Sequence, residues 1–293
     1  MMGNGNLIIG FIGTGVMGRS MARHLMEAGH AVIVHTRTKE KAADLLTSGA
    51  VWAETPGELA KKANVIFTIV GYPQDVEAIY FGEDGLIANG QSGALFVDMT
   101  TSTPTLAKKI HVEAMKKGIK TLDAPVSGGD IGAREAKLSI MVGGEESDFA
   151  EMEPLLRLLG NNVVYQGEPG AGQHTKMVNQ IVIASTMMGV AEAMVYAKRA
   201  GLSTEKVLSS ISTGAAGSWS LSNLAPRMLE GNFEPGFYIK HFIKDMNIAL
   251  EEAEKMEMKA PGLALARSIY GELEAEGEEN SGTQAIYKYW KQQ

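Results

Sequence analysis

Leu7-Ile8-Ile9-Gly10-Phe11-Ile12 is an apolar run that stops at Gly13-Thr14-Gly15-Val16-Met17-Gly18, and Met21, Ala22, Leu25 and Met26 then recur at helical spacing. No other stretch narrows the choice of fold so far. It reads as strand, glycine-rich turn and helix. The spacing G-x-G-x-x-G lets the chain turn tightly, lets backbone approach a pyrophosphate and lets the helix pack on the strand, while the helix N-terminus faces the phosphates. Glycines at a tight turn are ordinary by themselves. Here they sit between a strand and a helix, and a second strand, Ala31-Val32-Ile33-Val34-His35, follows, which is the context a dinucleotide fingerprint needs. The candidate cofactor contacts are therefore Phe11, Ile12, Gly13, Thr14, Gly15, Val16, Met17 and Gly18.

The end of the second strand selects between cofactors. An acidic residue there would bind the ribose 2′-hydroxyl of NAD, but the chain offers His35-Thr36-Arg37-Thr38 and no carboxylate before Glu40. Arg37, flanked by Thr36 and Thr38, can clasp a 2′-phosphate, so NADP is favoured and NAD remains the alternative. The competing reading is a solvated arginine that caps the next helix.

Helix and strand patterns go on alternating: helices at 39–47 and 56–62, apolar strands at 64–70 and 94–99, and a strand at 138–142 ending in Gly143-Gly144. That order implies right-handed crossovers and a mostly parallel sheet, in which ligands bind at the C-terminal strand ends. Val70, Gly71 and Tyr72 before Pro73, and Thr101 within Asp98-Met99-Thr100-Thr101-Ser102, are candidate walls for the nicotinamide ribose. Each also reads as a strand-to-helix turn, with Thr101 or Ser102 as a helix cap before Pro104. Ser127-Gly128-Gly129 offers a hydroxyl and unshielded amides suited to a carboxylate, although a glycine-rich turn needs no ligand.

Gly167-Glu168-Pro169-Gly170 is a break, and the patterns beyond it are all helical: 173–200, 203–212, 221–230, 241–259, 262–275 and 283–290. The expected domains are residues 1–168 and 169–293. The first of these helices is apolar around almost its whole circumference, without a charge from Met177 to Ala191, and is expected to be buried on most sides over roughly 42 Å. Lys176 lies in its first turns. The positive helix end and apolar neighbours both favour the neutral amine, which suits general acid-base chemistry. Asn179 and Gln180 share its face and can hold a ligand. The plainer reading is a lysine that snorkels to solvent.

The net charge of -7 and pI near 5.5, with no basic run, argue against a nucleic-acid partner. With no cysteine there is no thiolate nucleophile or cysteine-based zinc site, and the six histidines lack ligand spacing, so no metal is expected. The N-terminal residues show neither signal-peptide nor membrane-span pattern, and a cytoplasmic protein is expected.

Taken together, the fingerprint, Asp123-Ala124-Pro125-Val126-Ser127-Gly128-Gly129, Gly170-x-Gly-x-x-x-Lys176-x-x-Asn179 and Lys244-Asp245-Met246, in that order, resemble the β-hydroxyacid dehydrogenases. Members include 3-hydroxyisobutyrate dehydrogenase, tartronate semialdehyde reductase and the glyoxylate/succinic semialdehyde reductases. The resemblance implies an α/β fold, with an N-terminal Rossmann-like doubly wound domain and a C-terminal all-helical domain joined by a long helix. It implies that Lys176 is the acid-base, that Ser127, Gly128, Gly129 and Asn179 hold the substrate, and that Thr101 and Lys244 contact the cofactor. Asp245, beside Lys244, is a further substrate-site candidate, and Gly214-Ala215-Ala216-Gly217-Ser218-Trp219 is a candidate lid, with Trp219 either closing over substrate or buried between helices. Two departures stand out: Thr14 replaces a leucine of the fingerprint, and Gln180 replaces a second asparagine, which bears on substrate preference. Homodimers or homotetramers acting on small hydroxyacids or semialdehydes are implied. Imine reductases share the architecture but usually lack the lysine. The 6-phosphogluconate dehydrogenases are longer and carry a phosphate-binding set not found here. A non-catalytic module sensing NADP(H) is the alternative outside enzymology.

Overall fold

The computed structural model describes residues 7–291. The chain divides into two compact units, residues 1–176 and 177–293.

The first unit is built on a sheet of nine strands: β1 (Ile8–Ile12), β2 (Ala31–His35), β3 (Val51–Trp52), β4 (Val65–Thr68), β5 (Leu95–Asp98), β6 (Lys120–Asp123), β7 (Val126–Ser127), β8 (Ser139–Gly144) and β9 (Asn162–Gly167). Their order is β3-β2-β1-β4-β5-β6-β8-β7, with β9 also on β8. The first six run parallel, which gives the doubly wound order with its switch point between β1 and β4. β8 then enters antiparallel to both β6 and β7.

The apolar runs follow from burial on both faces of the sheet. Ile9, Phe11, Val65, Phe67, Leu95 and Val97 point into one core with Met21, Leu25, Leu45 and Met152. Ile12, Ile33, Ile66 and Phe96 point into the other with Leu59, Val76, Tyr80, Leu106 and Ile110. Strand sequence thus alternates between two cores, so neither face shows as polar.

Several local expectations change. The helix expected at 39–47 is a 3-10 turn, Lys39–Ala42, followed by a helix, Ala43–Thr47. The cap before Pro104 is Thr103, whose hydroxyl accepts from the N–H of Leu106 at 3.1 Å, rather than Thr101 or Ser102. Strands β3 and β9 carry no clear alternation and were not expected.

The second unit is helical, and among its described residues the sole β pairing is a bridge between Tyr238 and Gly282. The pattern at 221–230 resolves into Trp219–Asn223 and Ala225–Glu230, because Pro226 can only sit in the first turn of a new helix. Likewise 283–290 is a 3-10 turn, Thr283–Ile286, continued by Tyr287–Lys291.

The long helix is Ala171–Arg199. It is long and apolar enough to cross a membrane by length and composition alone. Met177, Ala184, Met187, Val190, Ala191 and Met194 pack into the second unit's core. It is not buried on most sides, however. Val178, Val182 and Tyr196 are 62%, 60% and 74% exposed, and with Ser185, Gly189 and Glu192 they form one open stripe. Hydropathy hid the stripe because its large residues, Val178, Val182 and Tyr196, are themselves apolar or aromatic.

Candidate active site

The glycine turn occupies the switch point. Gly13 adopts φ +96°, and its N–H donates to the His35 carbonyl at 2.9 Å, tying the end of β1 to the end of β2. A Cβ at Gly13 would lie 2.0 Å from the Ile69 carbonyl oxygen, and one at Gly18 would lie 1.9 Å from the Gly13 carbonyl oxygen. Those two glycines are needed by the fold. Gly15 differs: a Cβ there meets nothing within 4 Å, so its face is open to a ligand. The helix Gly18–Glu27 begins with no side-chain cap and no acid in its first turn; the Arg19 and Met21 N–H groups go to the Gly15 and Met17 carbonyls, and a helix start of this kind suits a phosphate. Thr14 is buried, and its Oγ1 has no hydrogen-bond partner. These features fit a dinucleotide pyrophosphate. The side chains of Phe11 and Ile12 face the two cores, so at these positions only backbone is available to a cofactor.

Beyond β2, Thr36 is half-buried, while Thr38 and Arg37 are exposed; the Arg37 side chain, 83% open, pairs its NH1 with Asp75 Oδ1 at 3.2 Å. Asp75 lies in the first turn of the helix Pro73–Phe81, which Val70, Gly71 and Tyr72 lead into. Arg37 caps no helix. The Val70 N–H donates to Thr100 Oγ1 at 3.0 Å, which joins the two candidate ribose walls.

Lys176 is only 6% exposed, and its Nζ donates to the Val126 carbonyl at 2.9 Å. It does not snorkel. Val126 directly precedes Ser127, half-buried, Gly128, exposed at φ +130°, and Gly129 at φ +63°. The amine is therefore held beside a turn whose positive φ values require glycine and turn backbone outward.

One helical turn before Lys176, Gln173 is wholly buried. Its Nε2 donates to the Thr100 carbonyl at 2.7 Å, and its Oε1 accepts from the Ser102 N–H at 2.9 Å. Thr101 is thus clamped on both sides by a residue that sequence reading passed over. Asp123 was missed too, although it opens the quoted motif: Oδ1 accepts from the Gly170 N–H at 2.7 Å and Oδ2 from the Gln173 N–H at 2.8 Å.

Asp98 ends β5 close by, accepting from Thr68 Oγ1 at 3.1 Å and from the Thr100 N–H at 3.0 Å. Burial pushes the Asp98 carboxyl up to about 7, against the hydrogen bonds from Thr100 and Thr68, with the Asp123 charge adding to the rise. Asp98 and Asp123 line a cavity of about 10 Å³ together with Tyr80 and Thr121.

In the second unit, Asn179, Gln180, Asp245 and Lys244 form one chain of contacts. Asn179 Nδ2 donates to Gln180 Oε1 at 2.7 Å, Gln180 Nε2 donates to Asp245 Oδ2 at 2.6 Å, and Lys244 Nζ sits 2.7 Å from Asp245 Oδ1. The carboxylate of Asp245 and the amide of Gln180, each 1% exposed, are engaged by each other and by Lys244 and Asn179. Trp219 is 67% exposed at the start of its short helix, so it is not a buried packing residue. Lys240, near Lys244 in sequence, turns to Asn280 Oδ1 at 2.7 Å. Among the described residues no cluster of three or more His, Asp or Glu could hold a metal.

A doubly wound sheet with an open glycine turn at its switch point is the arrangement of a dinucleotide-binding domain, and a buried lysine stands beside a second glycine turn. Residues 8–167 match the family described as the NAD binding domain of 6-phosphogluconate dehydrogenase. Residues 170–290 match the NAD-binding family of NADP-dependent 3-hydroxyisobutyrate dehydrogenase. An uncharacterised oxidoreductase of Bacillus subtilis is 64% identical, the alignment covering 96% of this chain and 98% of the relative. The 2-hydroxy-3-oxopropionate reductase of Escherichia coli is 39% identical over 92% of each chain. The solved Mycobacterium tuberculosis 3-hydroxyisobutyrate dehydrogenase, with L-serine, superposes with a TM-score of 0.88 at 30% identity, over 96% of this chain and 98% of that one. The chain belongs to the β-hydroxyacid dehydrogenase family of NAD(P)-dependent oxidoreductases.

Proposed function

We propose that the protein reversibly reduces a short semialdehyde to its β-hydroxyacid, with a substrate of the 3-hydroxyisobutyrate, tartronate semialdehyde or succinic semialdehyde type. The observation that carries this reading is the buried Lys176 amine, held at the Val126 carbonyl next to Ser127-Gly128-Gly129. When bound, the nicotinamide supplies or accepts the hydride. The ammonium of Lys176 polarises the carbonyl oxygen and gives its proton to the forming alkoxide; in oxidation the neutral amine takes the hydroxyl proton. Ser127 and the amides of Gly128 and Gly129 anchor the carboxylate, and Asn179, one turn after Lys176 on the same helix, orients the substrate. Gly13, Gly15 and Gly18 seat the pyrophosphate, Thr101 supports the ribose, and Lys244 meets the cofactor.

The test is a panel of C3 and C4 semialdehydes and keto acids, with a cyclic imine alongside, each run with NADPH and NADH. Turnover of a semialdehyde and none of the imine is expected; tight cofactor binding without turnover of any acid would sink the proposal.

NADP is the favoured cofactor, because Arg37 stands at the strand end and no carboxylate does. Asp75 keeps the guanidinium in place without covering it, since the arginine side chain stays 83% open. Arg37→Ala is expected to raise the KM for NADPH about 10-fold, the value of a lost charge-assisted contact, while the KM for NADH stays within about 2-fold. Equal changes for both cofactors would remove the 2′-phosphate role.

The open stripe of Val178, Val182 and Tyr196 fits self-association through the long helix. Val182→Glu is expected to shift the mass measured by light scattering from an oligomer to the monomer. An unchanged mass would place the contact elsewhere.

A further inference from the structure

The segment Asp123 to Gly129 grips the start of the long helix at two points one turn apart. At one, the Asp123 carboxylate takes the N–H groups of Gly170 and Gln173. At the other, the Val126 carbonyl takes the Lys176 amine. Gln173 and Lys176 are one helical turn apart, so the first contact fixes the backbone from which the amine projects and the second fixes the amine. The junction leaves no slack: a Cβ on Gly172 would lie 2.4 Å from the carbonyl oxygens of Asp123 and Met141, and one on Gly143 would lie 2.6 Å from Asp123 Oδ1.

We propose that Asp123 is a positioning residue for Lys176: its ionised carboxylate sets the register of the helix's first turn against Ser127-Gly128-Gly129, so that losing this charge lowers turnover while dinucleotide affinity stays. The proposal rests on Lys176 acting as the acid-base. A carboxylate is suited to this place because it faces the positive end of a helix and can accept from two orphan N–H groups at once. A neutral acid keeps one strong acceptor and gains an O–H that has no acceptor among those amides.

Burial pushes the Asp123 carboxyl up to about 6, although the N–H groups of Gly170, Gln173 and Gly172 pull it down. The groups around it come from several elements. Asp98 on β5, itself pushed up to about 7 by burial, lines the same small cavity, Tyr80 on Pro73–Phe81 is pushed well above the usual phenol range by burial, and His111 on Pro104–Met115 bonds Thr121 Oγ1 at 3.1 Å. Lys108, on the same helix as His111, packs near Gly170. Asp123 thus changes charge within the working range of an enzyme. As the pH falls through about 6 the carboxylate takes a proton, the two amides lose their charged acceptor, and turnover should fall. In the reductive direction Lys176 cannot cause such a fall, because the protonated amine is the active form and acid only increases it.

The experiment measures reductive kcat from pH 5 to 8 for wild type, Asp123→Asn and Asp98→Asn, with dinucleotide Kd by fluorescence and the Gly170 and Gln173 amide signals of the wild type by NMR. The wild type should lose turnover below about pH 6, with both amide signals titrating at the same midpoint. Asp123→Asn should be about 10-fold or more slower at pH 8, flat in pH, and within about 2-fold of wild type in Kd, as expected of an effect confined to positioning. Asp98→Asn should keep the acidic fall. An Asp123→Asn enzyme with wild-type turnover and an unchanged acidic fall overturns the proposal, as does an amide midpoint separate from the kcat midpoint, a measurement that needs no variant to fold. Absence of wild-type turnover on every hydroxyacid and semialdehyde would instead overturn the dehydrogenase chemistry, and the amide titration would still stand.

Discussion

Lys176→Ala is expected to lower kcat about 100- to 10,000-fold in both directions, the range that a positioned general acid-base contributes. The loss should appear in kcat and kcat/KM alike, because proton transfer belongs to the transition state and not to ground-state binding. Dinucleotide Kd should stay within about 2-fold, since the proposed seat of the pyrophosphate is the backbone of the glycine turn and not Lys176. Truncation also removes the Lys176 amine from the Val126 carbonyl, so the variant's melting temperature must be taken alongside its kinetics. Lys176→Arg separates the two roles: it keeps a donor for Val126 but holds its proton too tightly to serve as a base. Retention of wild-type turnover by either variant would remove Lys176 from the chemistry.

The second large effect lies at the glycine turn, and there two substitutions should part company. Gly13→Ala places a methyl group 2.0 Å from the Ile69 carbonyl oxygen in a residue at φ +96°. It should weaken dinucleotide binding about 100-fold, roughly 3 kcal/mol, and lower the melting temperature as well. Gly15→Ala meets no protein atom within 4 Å. It should leave the melting temperature unchanged and still weaken dinucleotide binding, because the added methyl group stands on the open face proposed for the pyrophosphate. Calorimetric titration and thermal melts on both variants decide the matter. Wild-type affinity in Gly15→Ala would show that the open face is not the binding face.

The parts of this molecule that could be read from sequence are those encoded within a few residues. Strand, glycine turn and helix at 8–27 are contiguous, and so is the helix that carries Lys176. The contacts that give the site its shape are not. Asp123 meets Gly170, and Gln173 meets Thr100, across many intervening residues, and no local period announces either pair. Asp123 stood inside a quoted motif, yet its neighbours Ser127, Gly128 and Gly129 drew the functional reading. Gln173 looked like one more polar residue at a helix start. The reversal of β8 was invisible for a related reason, since a short buried strand looks the same in either direction. The long helix misled in the opposite sense: its open face carries valine and tyrosine, so hydropathy alone could not separate it from the packed one.

The relay of Asn179, Gln180, Asp245 and Lys244 constrains any attempt to retune the enzyme. Its links are direct, so shortening or enlarging Gln180 to suit another acid would release both the amide on one side and the ion pair on the other. On the proposed roles of Asn179 toward substrate and Lys244 toward cofactor, libraries that randomise Gln180 alone should yield mostly variants impaired in both. Productive ones would need a compensating residue at Asp245.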